Sequence, residues 1–283
     1  MFVFKAAVVG AGTMGGEIAH AIANSDIPVV LKDVDQKFVD VGLEKARSIW
    51  QGQVDAGKLD EAGRDRKLSL ISGTTEYDGF GDVDFVIEAV PERMQIKQTV
   101  FSELDEATPG HAILASNTSA LSITEIATAT IRPEKVVGFH FFWPVSLMRL
   151  IEVIEGDETS PETAQAATTF AQRIRKMPIR CADAPGFVVN RILNSSVSEI
   201  WRFQDETGID VKEIDRVVSE SKAAPMGPFF LGDLVGLDTA LHVAEHMREA
   251  YGERFYVHKG MQGLVAAGDL GAKTGKGFYE HGN

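Results

Sequence analysis

The amino-acid sequence predicts an α/β domain built on a doubly wound, mostly parallel sheet, followed by an all-helical C-terminal domain. Up to about residue 180, short β-rich runs alternate with helical stretches, which is typical of βαβ units. Beyond Pro185-Gly186 the strand signals end, and apolar residues recur at helical spacing instead. The break at Ala184-Pro185-Gly186 places the domain boundary near Asp183. We therefore predict one domain over residues 1–183 and a second over residues 184–283.

Short apolar runs are the predicted strands of the first domain, and they cover residues 6–9, 28–31, 84–87, 112–115, 136–139 and 150–154. Between the second and third runs, a charged, helix-favouring stretch from about residue 36 to residue 67 is expected to project as a pair of helices. In the second domain, the helical spacing of apolar residues starts at Phe187 and returns from Leu234 to Tyr251.

Composition and charge narrow the classes of function. Hydrophobic residues make up 44% and charged residues 24% of the sequence, as in an ordinary soluble globular protein, and no apolar run is long enough to cross a bilayer. The net charge of −13 argues against nucleic acid and anionic membranes as partners, because both bind basic surfaces. Cys181 is the only cysteine and the N-terminus has no signal-peptide pattern, so we expect a reducing, cytoplasmic environment.

A glycine-rich turn, Gly10-Ala11-Gly12-Thr13-Met14-Gly15, follows the first predicted strand and opens a helix. In such a turn, Gly10 permits the tight bend, Gly12 lets backbone amides approach a pyrophosphate, and Gly15 allows close packing of helix on strand. The N-terminus of the helix then faces the anion. Because glycine-rich turns are common, it is the strand before and the helix after that predict a Rossmann-type dinucleotide site.

Asp33 closes the second predicted strand, 18 residues after Gly15. An acid at this position accepts hydrogen bonds from ribose hydroxyls and repels a 2′-phosphate, so it predicts NAD rather than NADP as the cofactor. The alternative interpretation is a turn residue at the end of a strand, with Asp35 as a competitor for the cofactor role.

Two polar residues interrupt apolar strands. Glu152 lies within the apolar run 150–154, where a carboxylate is costly unless a partner compensates its charge. His140 ends another apolar run. If the two strands are neighbours, the carboxylate fixes the imidazole tautomer and stabilises its charged form, as a general base requires. From strand position alone, a buried histidine satisfied by the backbone is the favoured alternative.

Ser119 ends the polar cluster 115–119, which closes the fourth predicted strand. Ligands bind at the carboxyl ends of strands in open α/β sheets, so Ser119 is a candidate ligand contact. Capping of the following helix by Ser119 or Ser122 is the competing explanation. Asn190 interrupts an apolar helix one turn before Asn194, and either side chain could instead hydrogen-bond across a helix interface.

The glycine-rich turn, Ser119, His140, Glu152 and Asn190 lie in segments that resemble the L-3-hydroxyacyl-CoA dehydrogenases, also called 3-hydroxybutyryl-CoA dehydrogenases. The resemblance covers essentially the whole sequence, and so many motifs in the family's order are far more specific than any one of them. The matching segments are residues 9–16, 87–90, 115–119, 140–142, 150–153, 185–191, 225–228, 235–238 and 273–279.

The resemblance implies reversible, NAD-dependent oxidation of the 3-hydroxyl of an L-3-hydroxyacyl-CoA to the 3-ketoacyl-CoA. It implies that His140 is the general base and Glu152 its orienting partner, while Ser119 and Asn190 hold the reacting oxygen of the substrate. The family fold is a Rossmann-type domain followed by a helical domain that usually forms a homodimer. An acyl-CoA is therefore the implied small-molecule partner, and no metal ligands are assigned.

The resemblance also implies the contacts to NAD. Glu92 and Lys97 fall where the family contacts the ribose and nicotinamide region, and Lys273 falls on another NAD-contact position. The remaining cofactor positions, including those of the first βαβ unit, are Gly10, Gly12, Thr13, Met14, Gly15, Asp33, Asn117, Ser119 and Trp143.

The chain departs from the family at residue 143. The family reads His-Phe-Phe-Asn-Pro, whereas this chain has Trp143 in place of the asparagine that contacts the cofactor. Tryptophan donates one hydrogen bond and accepts none. Weaker NAD binding, a reshaped substrate pocket or a degenerate enzyme would each fit this change, and the intact catalytic set argues against the last.

A second departure concerns CoA. Stand-alone members often place a serine and a lysine in the projecting helix pair, where this chain has Ala46 and Gln53. The segment 42–57 is more similar to the dehydrogenase part of multifunctional β-oxidation subunits. Lys45, Arg47 and Lys58 are nearby cations that could meet phosphates, although exposed helix cations are more often plain solvated surface.

Two other functions compete with the acyl-CoA dehydrogenase. A related dehydrogenase could act on a free 3-hydroxy acid, such as a sugar acid, because relatives of that kind share the catalytic residues. The run 144–149 after the histidine is more similar to the acyl-CoA enzymes. A non-catalytic NAD-binding protein is the other alternative, motivated by Trp143 and opposed by the complete acid–base set.

Overall fold

The computed structural model describes residues 2–282, and these divide between Ala184 and Pro185 into two compact units. In the N-terminal unit, the described residues form one eight-stranded sheet with the strand order β3-β2-β1-β4-β5-β6-β7-β8. The strands are β1 (Ala6–Val9), β2 (Val29–Lys32), β3 (Ile71–Thr74), β4 (Phe85–Glu88), β5 (Ile113–Ser116), β6 (Val136–Phe141), β7 (Leu150–Glu155) and β8 (Met177–Ala182).

Neighbouring strands of this sheet run parallel, except that β6 and β7 are antiparallel. The predicted doubly wound, mostly parallel sheet is therefore confirmed. The pairing of β6 with β7 sets His140 directly opposite Glu152. Central strands such as β1, β4 and β5 are buried along their whole length, which explains why they are continuous apolar runs in the sequence.

Two strands, β3 and β8, were not predicted from the sequence, and they are the two edge strands of the sheet. Both leave residues exposed to solvent: Ser72 and Gly73 in β3, and Met177 and Ala182 in β8. Because β8 also contains a proline and an arginine, it lacks the apolar run that marks a buried strand. Edge strands carry weaker hydrophobic signals because one of their sides faces solvent.

Helices cover the sheet, and their starts follow capping side chains. In the N-terminal unit, Asp35, Asp60, Ser122 and Ser160 each accept a hydrogen bond from a backbone N–H in the first turn of the helix that follows. The helices are α1 (Thr13–Ala23), α2 (Gln36–Asp55), α3 (Glu61–Leu68), α4 (Met94–Ala107), α5 (Ile123–Ala127) and α6 (Pro161–Arg173), with a short 3₁₀ turn at Pro133–Lys135.

The C-terminal unit is helical, as predicted. Its helices are α7 (Val189–Thr207), α8 (Val211–Glu220), α9 (Pro228–Val235), α10 (Leu237–Tyr251) and α11 (Lys259–Ala267), with 3₁₀ turns at Gly252–Arg254 and Ala272–Thr274. They pack around Trp201, Phe229, Leu237, Ala244 and Met261, all of which are buried. A separate core in the N-terminal unit lies between its helices and the sheet. Across residues 2–282, no helix is both long and apolar enough to cross a membrane.

Candidate active site

The glycine-rich turn joins β1 to α1. Gly10 has a φ of +98°, and a Cβ added to it would lie 2.5 Å from the carbonyl oxygen of Ala89. A Cβ on Gly15 would lie 1.7 Å from the carbonyl oxygen of Gly10, so only glycine lets α1 pack this closely. At Gly12, by contrast, a Cβ would meet no described atom within 4 Å. The turn is thus open at Gly12, just before the N-terminus of α1, and this arrangement fits a pyrophosphate.

The predicted cofactor residues Thr13 and Met14 are the first two residues of α1. Asp33 follows β2 and supports the turn: its Oδ2 accepts from the N–H of Ala11 at 2.7 Å. Its competitor Asp35 instead caps α2 by accepting from the N–H of Lys37 at 3.0 Å. Of the two acids, only Asp33 therefore contacts the glycine-rich turn within the described chain, and its bond to a ribose stays a prediction.

His140, Glu152 and Ser119 lie together beside the carboxyl end of β5. The Nδ1 atom of His140 is 2.8 Å from Oε2 of Glu152, and its Nε2 atom is 3.1 Å from the hydroxyl oxygen of Ser119. Glu152 is completely buried and His140 is 4% exposed. An ionised carboxylate can only accept a hydrogen bond, so the neutral imidazole carries its proton on Nδ1 and presents a lone pair on Nε2.

The competing explanation for Ser119, helix capping, applies instead to Ser122. The Ser122 hydroxyl accepts from the N–H of Glu125 and starts α5. Asn117, a predicted cofactor contact, also has a structural role here, since its Oδ1 accepts from the N–H of Phe141 at 2.9 Å. This bond extends the contact between the ends of β5 and β6 and fixes the backbone next to His140.

Glu92 and Lys97, predicted to contact NAD, belong to a buried network with Glu88. The ammonium of Lys97 is 2.7 Å from Oε1 of Glu88 and 3.2 Å from Oε2 of Glu92. Glu88 was not predicted as a site residue, although it ends an apolar strand as a buried carboxylate. Like Glu152, it could be recognised in the sequence, because a charge in an apolar strand needs a partner.

In this network, burial and the charge of Lys97 have opposite effects on the pKa values of the two carboxyl groups. Burial raises the pKa of Glu88, whereas the ammonium of Lys97 and the hydrogen bonds from Ser116 and Val90 favour its ionised form. Burial also acts on Glu92, but Lys97 and the bonds from Thr118 and Ser119 outweigh it and hold the pKa of Glu92 below its usual value.

Three further predicted positions lie in a loop of the N-terminal unit and in the C-terminal unit. Trp143 lies in the loop after β6 with 54% of its surface exposed. Asn190 is the second residue of α7 in the C-terminal unit, where the side chain of Asn194 donates to its carbonyl oxygen at 2.9 Å. Lys273, also in that unit, pairs with Asp238 at 2.5 Å. Their contacts with substrate or cofactor stay predictions.

In the helix pair that could meet CoA, two of the three candidate cations form ion pairs and stay partly exposed, with the Lys45 side chain 41% and the Arg47 side chain 53% exposed. Ala46 is completely buried in α2. The ammonium of Lys45 lies 3.5 Å from the buried carboxylate of Glu17, and Arg47 lies 3.6 Å from Glu44. Within residues 2–282, no group of three or more His, Cys, Asp or Glu side chains could hold a metal ion.

Comparison with known proteins identifies the family. Residues 5–184 match the family model described as the 3-hydroxyacyl-CoA dehydrogenase NAD-binding domain, and residues 186–281 match the model of its C-terminal domain. The chain belongs to the 3-hydroxyacyl-CoA dehydrogenase family. The resemblance drawn from the sequence motifs is confirmed, and the N-terminal unit is the NAD-binding domain of an oxidoreductase family.

Relatives of known sequence or structure agree with this membership. The chain is 40% identical over 279 residues to the fatty acid oxidation complex subunit alpha of Pseudomonas savastanoi pv. phaseolicola; the match covers 98% of this chain and 38% of that subunit. The crystal structures of FadB2 from M. tuberculosis and of (S)-3-hydroxybutyryl-CoA dehydrogenase from Ralstonia eutropha are 35% and 36% identical to it. Each of these two matches covers 100% of this chain and 100% of the other chain, with a TM-score of 0.95. The 3-hydroxyacyl-CoA dehydrogenase fold thus extends over the whole chain, which spans 38% of the length of that curated relative.

Proposed function

We propose that this chain catalyses the reversible, NAD-dependent oxidation of the 3-hydroxyl of L-3-hydroxyacyl-CoA to a 3-ketoacyl-CoA. The observation that carries the proposal is the arrangement around His140, whose two ring nitrogens meet Glu152 and Ser119. This arrangement lies beside the carboxyl end of β5, in the same sheet whose β1 leads into the glycine-rich turn. Ligands of open α/β sheets bind at that end.

The proton is handled by His140. Because its Nδ1 proton is held by Glu152, the Nε2 lone pair can take the proton of the substrate hydroxyl. The charge of Glu152 then stabilises the imidazolium that forms. The Ser119 hydroxyl, 3.1 Å from the same nitrogen, can hydrogen-bond to the reacting oxygen and hold it against the base. In the reverse direction, the imidazolium returns the proton to the oxygen of the ketone.

NAD, when bound, supplies the acceptor for the hydride that leaves the carbinol carbon. The chain's own residues would hold it: the turn from Gly10 to Gly15 at the pyrophosphate and Asp33 at a ribose. We propose Glu92, Lys97, Asn117 and Trp143 for the nicotinamide half. Asn190 and Lys273, in the other unit, are proposed as contacts to the substrate and to NAD.

We also propose a homodimer formed through the C-terminal unit, and a cytoplasmic location. A single cysteine supports the location. The dimer is supported by large apolar side chains that this unit leaves exposed, namely Ile192, Leu193, Phe203, Val217, Leu234 and Val235. Light scattering should give twice the mass of one chain, and a monomer at micromolar concentration would contradict the dimer.

The experiment that tests the activity follows NADH oxidation with acetoacetyl-CoA, with a longer 3-ketoacyl-CoA and with free acetoacetate. NADPH serves as the control cofactor. We expect rapid turnover of the CoA esters with NADH alone, since Asp33 repels a 2′-phosphate. The ratio of the two ester rates then gives the preferred acyl-chain length.

Two outcomes would overturn the proposal. Turnover of free acetoacetate as fast as that of its CoA ester would indicate a dehydrogenase of free 3-hydroxy acids. Tight NADH binding without turnover of any 3-ketoacyl substrate would indicate a non-catalytic NAD-binding protein, with Trp143 as the residue to examine.

A further inference from the structure

Glu88 is a buried carboxylate that the proposed mechanism leaves without a role. It ends β4 and is completely buried. Its Oε1 accepts from the ammonium of Lys97 and from the N–H of Val90, each at 2.7 Å. Its Oε2 accepts from the hydroxyl of Ser116 at 2.6 Å. Burial of an ionised carboxylate costs desolvation free energy, which these three hydrogen bonds offset while they tie Glu88 to its neighbours.

The first group that Glu88 positions is Lys97, which is 1% exposed. Among the described residues, the ammonium has oxygen neighbours in Glu88 at 2.7 Å, Glu92 at 3.2 Å and the carbonyl of Val90 at 3.4 Å. An ammonium has three donors, and these oxygens match them. The location of the Lys97 charge is thus set on one side by Glu88 and on the other by Glu92.

Glu92 connects Lys97 to the loop that carries Ser119. While Oε2 of Glu92 faces the ammonium, its Oε1 accepts from the hydroxyl of Thr118 at 2.5 Å and from the N–H of Ser119 at 2.9 Å. The N–H of Ala120 lies 3.3 Å from the same oxygen. One carboxylate oxygen therefore fixes the backbone of the loop at the residue whose hydroxyl lies 3.1 Å from His140.

We propose that Glu88 is a positioning residue for the reaction, which acts through Lys97 and Glu92 to hold Ser119 against His140. The inference rests on the proposed function, because Ser119 matters only if His140 acts on a substrate hydroxyl. With Glu88 neutral, Lys97 would be left with Glu92 as its only carboxylate. The ammonium would then draw Glu92 toward itself and away from the Ser119 amide.

Hydrogen exchange tests the positioning without any turnover. In Glu88→Gln, which keeps the shape of the side chain, we expect the amides of residues 119–120 to exchange about tenfold faster, as one loosened hydrogen bond predicts. The matched control is Asp105→Asn in the same helix as Lys97, since Asp105 forms an ion pair with Arg132 at 2.6 Å in which each side chain is 9% exposed. That variant should leave the exchange of residues 119–120 unchanged. Unchanged exchange in Glu88→Gln would overturn the proposal.

Kinetics test whether the positioning matters for the reaction. Rates are divided by the concentration of NADH-binding sites, so that unfolded protein does not count. On this basis we expect Glu88→Gln to lower kcat with acetoacetyl-CoA about tenfold, while the KM for acetoacetyl-CoA stays within about twofold. In the double variant with Glu92→Gln, kcat should equal that of Glu92→Gln alone, because the two residues act in series. A multiplicative loss, or an equal loss in Asp105→Asn, would contradict this route. If the parent chain turns over no CoA ester, the proposed function fails, and hydrogen exchange still decides the positioning.

Discussion

Each unit of the described chain contains a completely buried carboxylate that binds a histidine at the same distance. Glu152 lies 2.8 Å from Nδ1 of His140 in the N-terminal unit, and Asp233 lies 2.8 Å from Nε2 of His281 in the C-terminal unit. The two pairs differ in what surrounds them. The second nitrogen of His140 meets the Ser119 hydroxyl beside the end of a parallel strand, where ligands bind.

Asp233 is instead surrounded by the backbone of the chain's last segment. Its two oxygens accept from the N–H groups of Phe278 and Tyr279, each at 2.9 Å. A Cβ on Gly277 would lie 2.2 Å from Oδ1 of Asp233, so this segment packs directly on the carboxylate. The Asp233–His281 pair therefore holds residues 277–281 in place, whereas the Glu152–His140 pair orients a candidate general base. A histidine paired with a completely buried carboxylate does not by itself indicate catalysis, which depends on the groups around the pair.

Replacing the two histidines gives the largest expected difference. His140→Gln should lower kcat by roughly two to four decades, the usual range for a lost general base. The matched variant His281→Gln should leave kcat per NADH-binding site within about twofold, since its partner only fastens a segment. Steady-state rates with acetoacetyl-CoA measure both. A near-normal rate in His140→Gln would exclude this histidine as the base.

The sequence predicted the sheet and the helical unit because both depend on strong local patterns. Strand β4 is buried along its length and is therefore apolar throughout except at Glu88. The edge strand β8 was missed, since solvent on one side permits polar residues and a proline. Local patterns therefore reveal the buried strands and leave the edges to be found in the structure.

The catalytic candidates His140 and Glu152 were predicted as polar residues in apolar strands. The family's motifs then assigned His140, Glu152, Ser119 and Asn190 to one active site. The contact between His140 and Glu152 depends on β6 and β7 being antiparallel neighbours in one register, which no local pattern states. The link from Glu88 through Lys97 to Glu92 depends likewise on how β4 and α4 pack. Distances between side chains far apart in the sequence require the fold.

Removing the charge from each carboxylate sharpens the comparison. Asp233→Asn should cost about 3 kcal/mol of the free energy of unfolding, because an amide donor would face backbone N–H groups. Glu152→Gln should instead lower kcat by roughly ten- to a hundredfold, with less harm to folding than to rate, because the imidazolium loses its stabilising charge.

Urea unfolding and rates per NADH-binding site separate the two effects. The pair of variants is symmetrical, since each changes one oxygen into an amide nitrogen on a completely buried side chain. If Glu152→Gln lowered the free energy of unfolding but left kcat unchanged, the Glu152–His140 pair would have a structural role like that of the Asp233–His281 pair.

Another buried histidine, His20 in α1, extends the comparison to a ring that is not paired with a carboxylate. Its nitrogens have no hydrogen-bond partner among the described residues. Burial, assisted by the charges of Lys176 and Lys67, lowers its pKa from 6.5 to about 4. Between these values the unfolded chain binds more protons, so stability is complete above pH 6.5 and falls as the pH drops toward 4.

The expected loss from this histidine is roughly 2 kcal/mol between pH 7 and about pH 4.5. Urea unfolding at several pH values measures the free energy of unfolding of the parent and of His20→Phe. The difference between the two proteins should change with pH by this amount, since their carboxylates titrate equally. The exposed His242 supplies the control, and His242→Gln should follow the parent. Parallel curves for the parent and His20→Phe would show that His20 does not titrate in this way.

The smallest expected effect concerns Trp143, which lies three residues after the catalytic candidate. The indole is 54% exposed, so Trp143→Asn should change the free energy of unfolding by no more than about 0.5 kcal/mol. An asparagine both donates and accepts, whereas the indole only donates, so NADH binding should strengthen by roughly three- to tenfold, as one added hydrogen bond predicts.

Fluorescence titration with NADH measures the dissociation constant. Leu147→Asn, at a still more exposed position of the same loop, should leave it unchanged. If both variants strengthened binding equally, the loop would act through its polarity, and residue 143 would have no special contact with the cofactor.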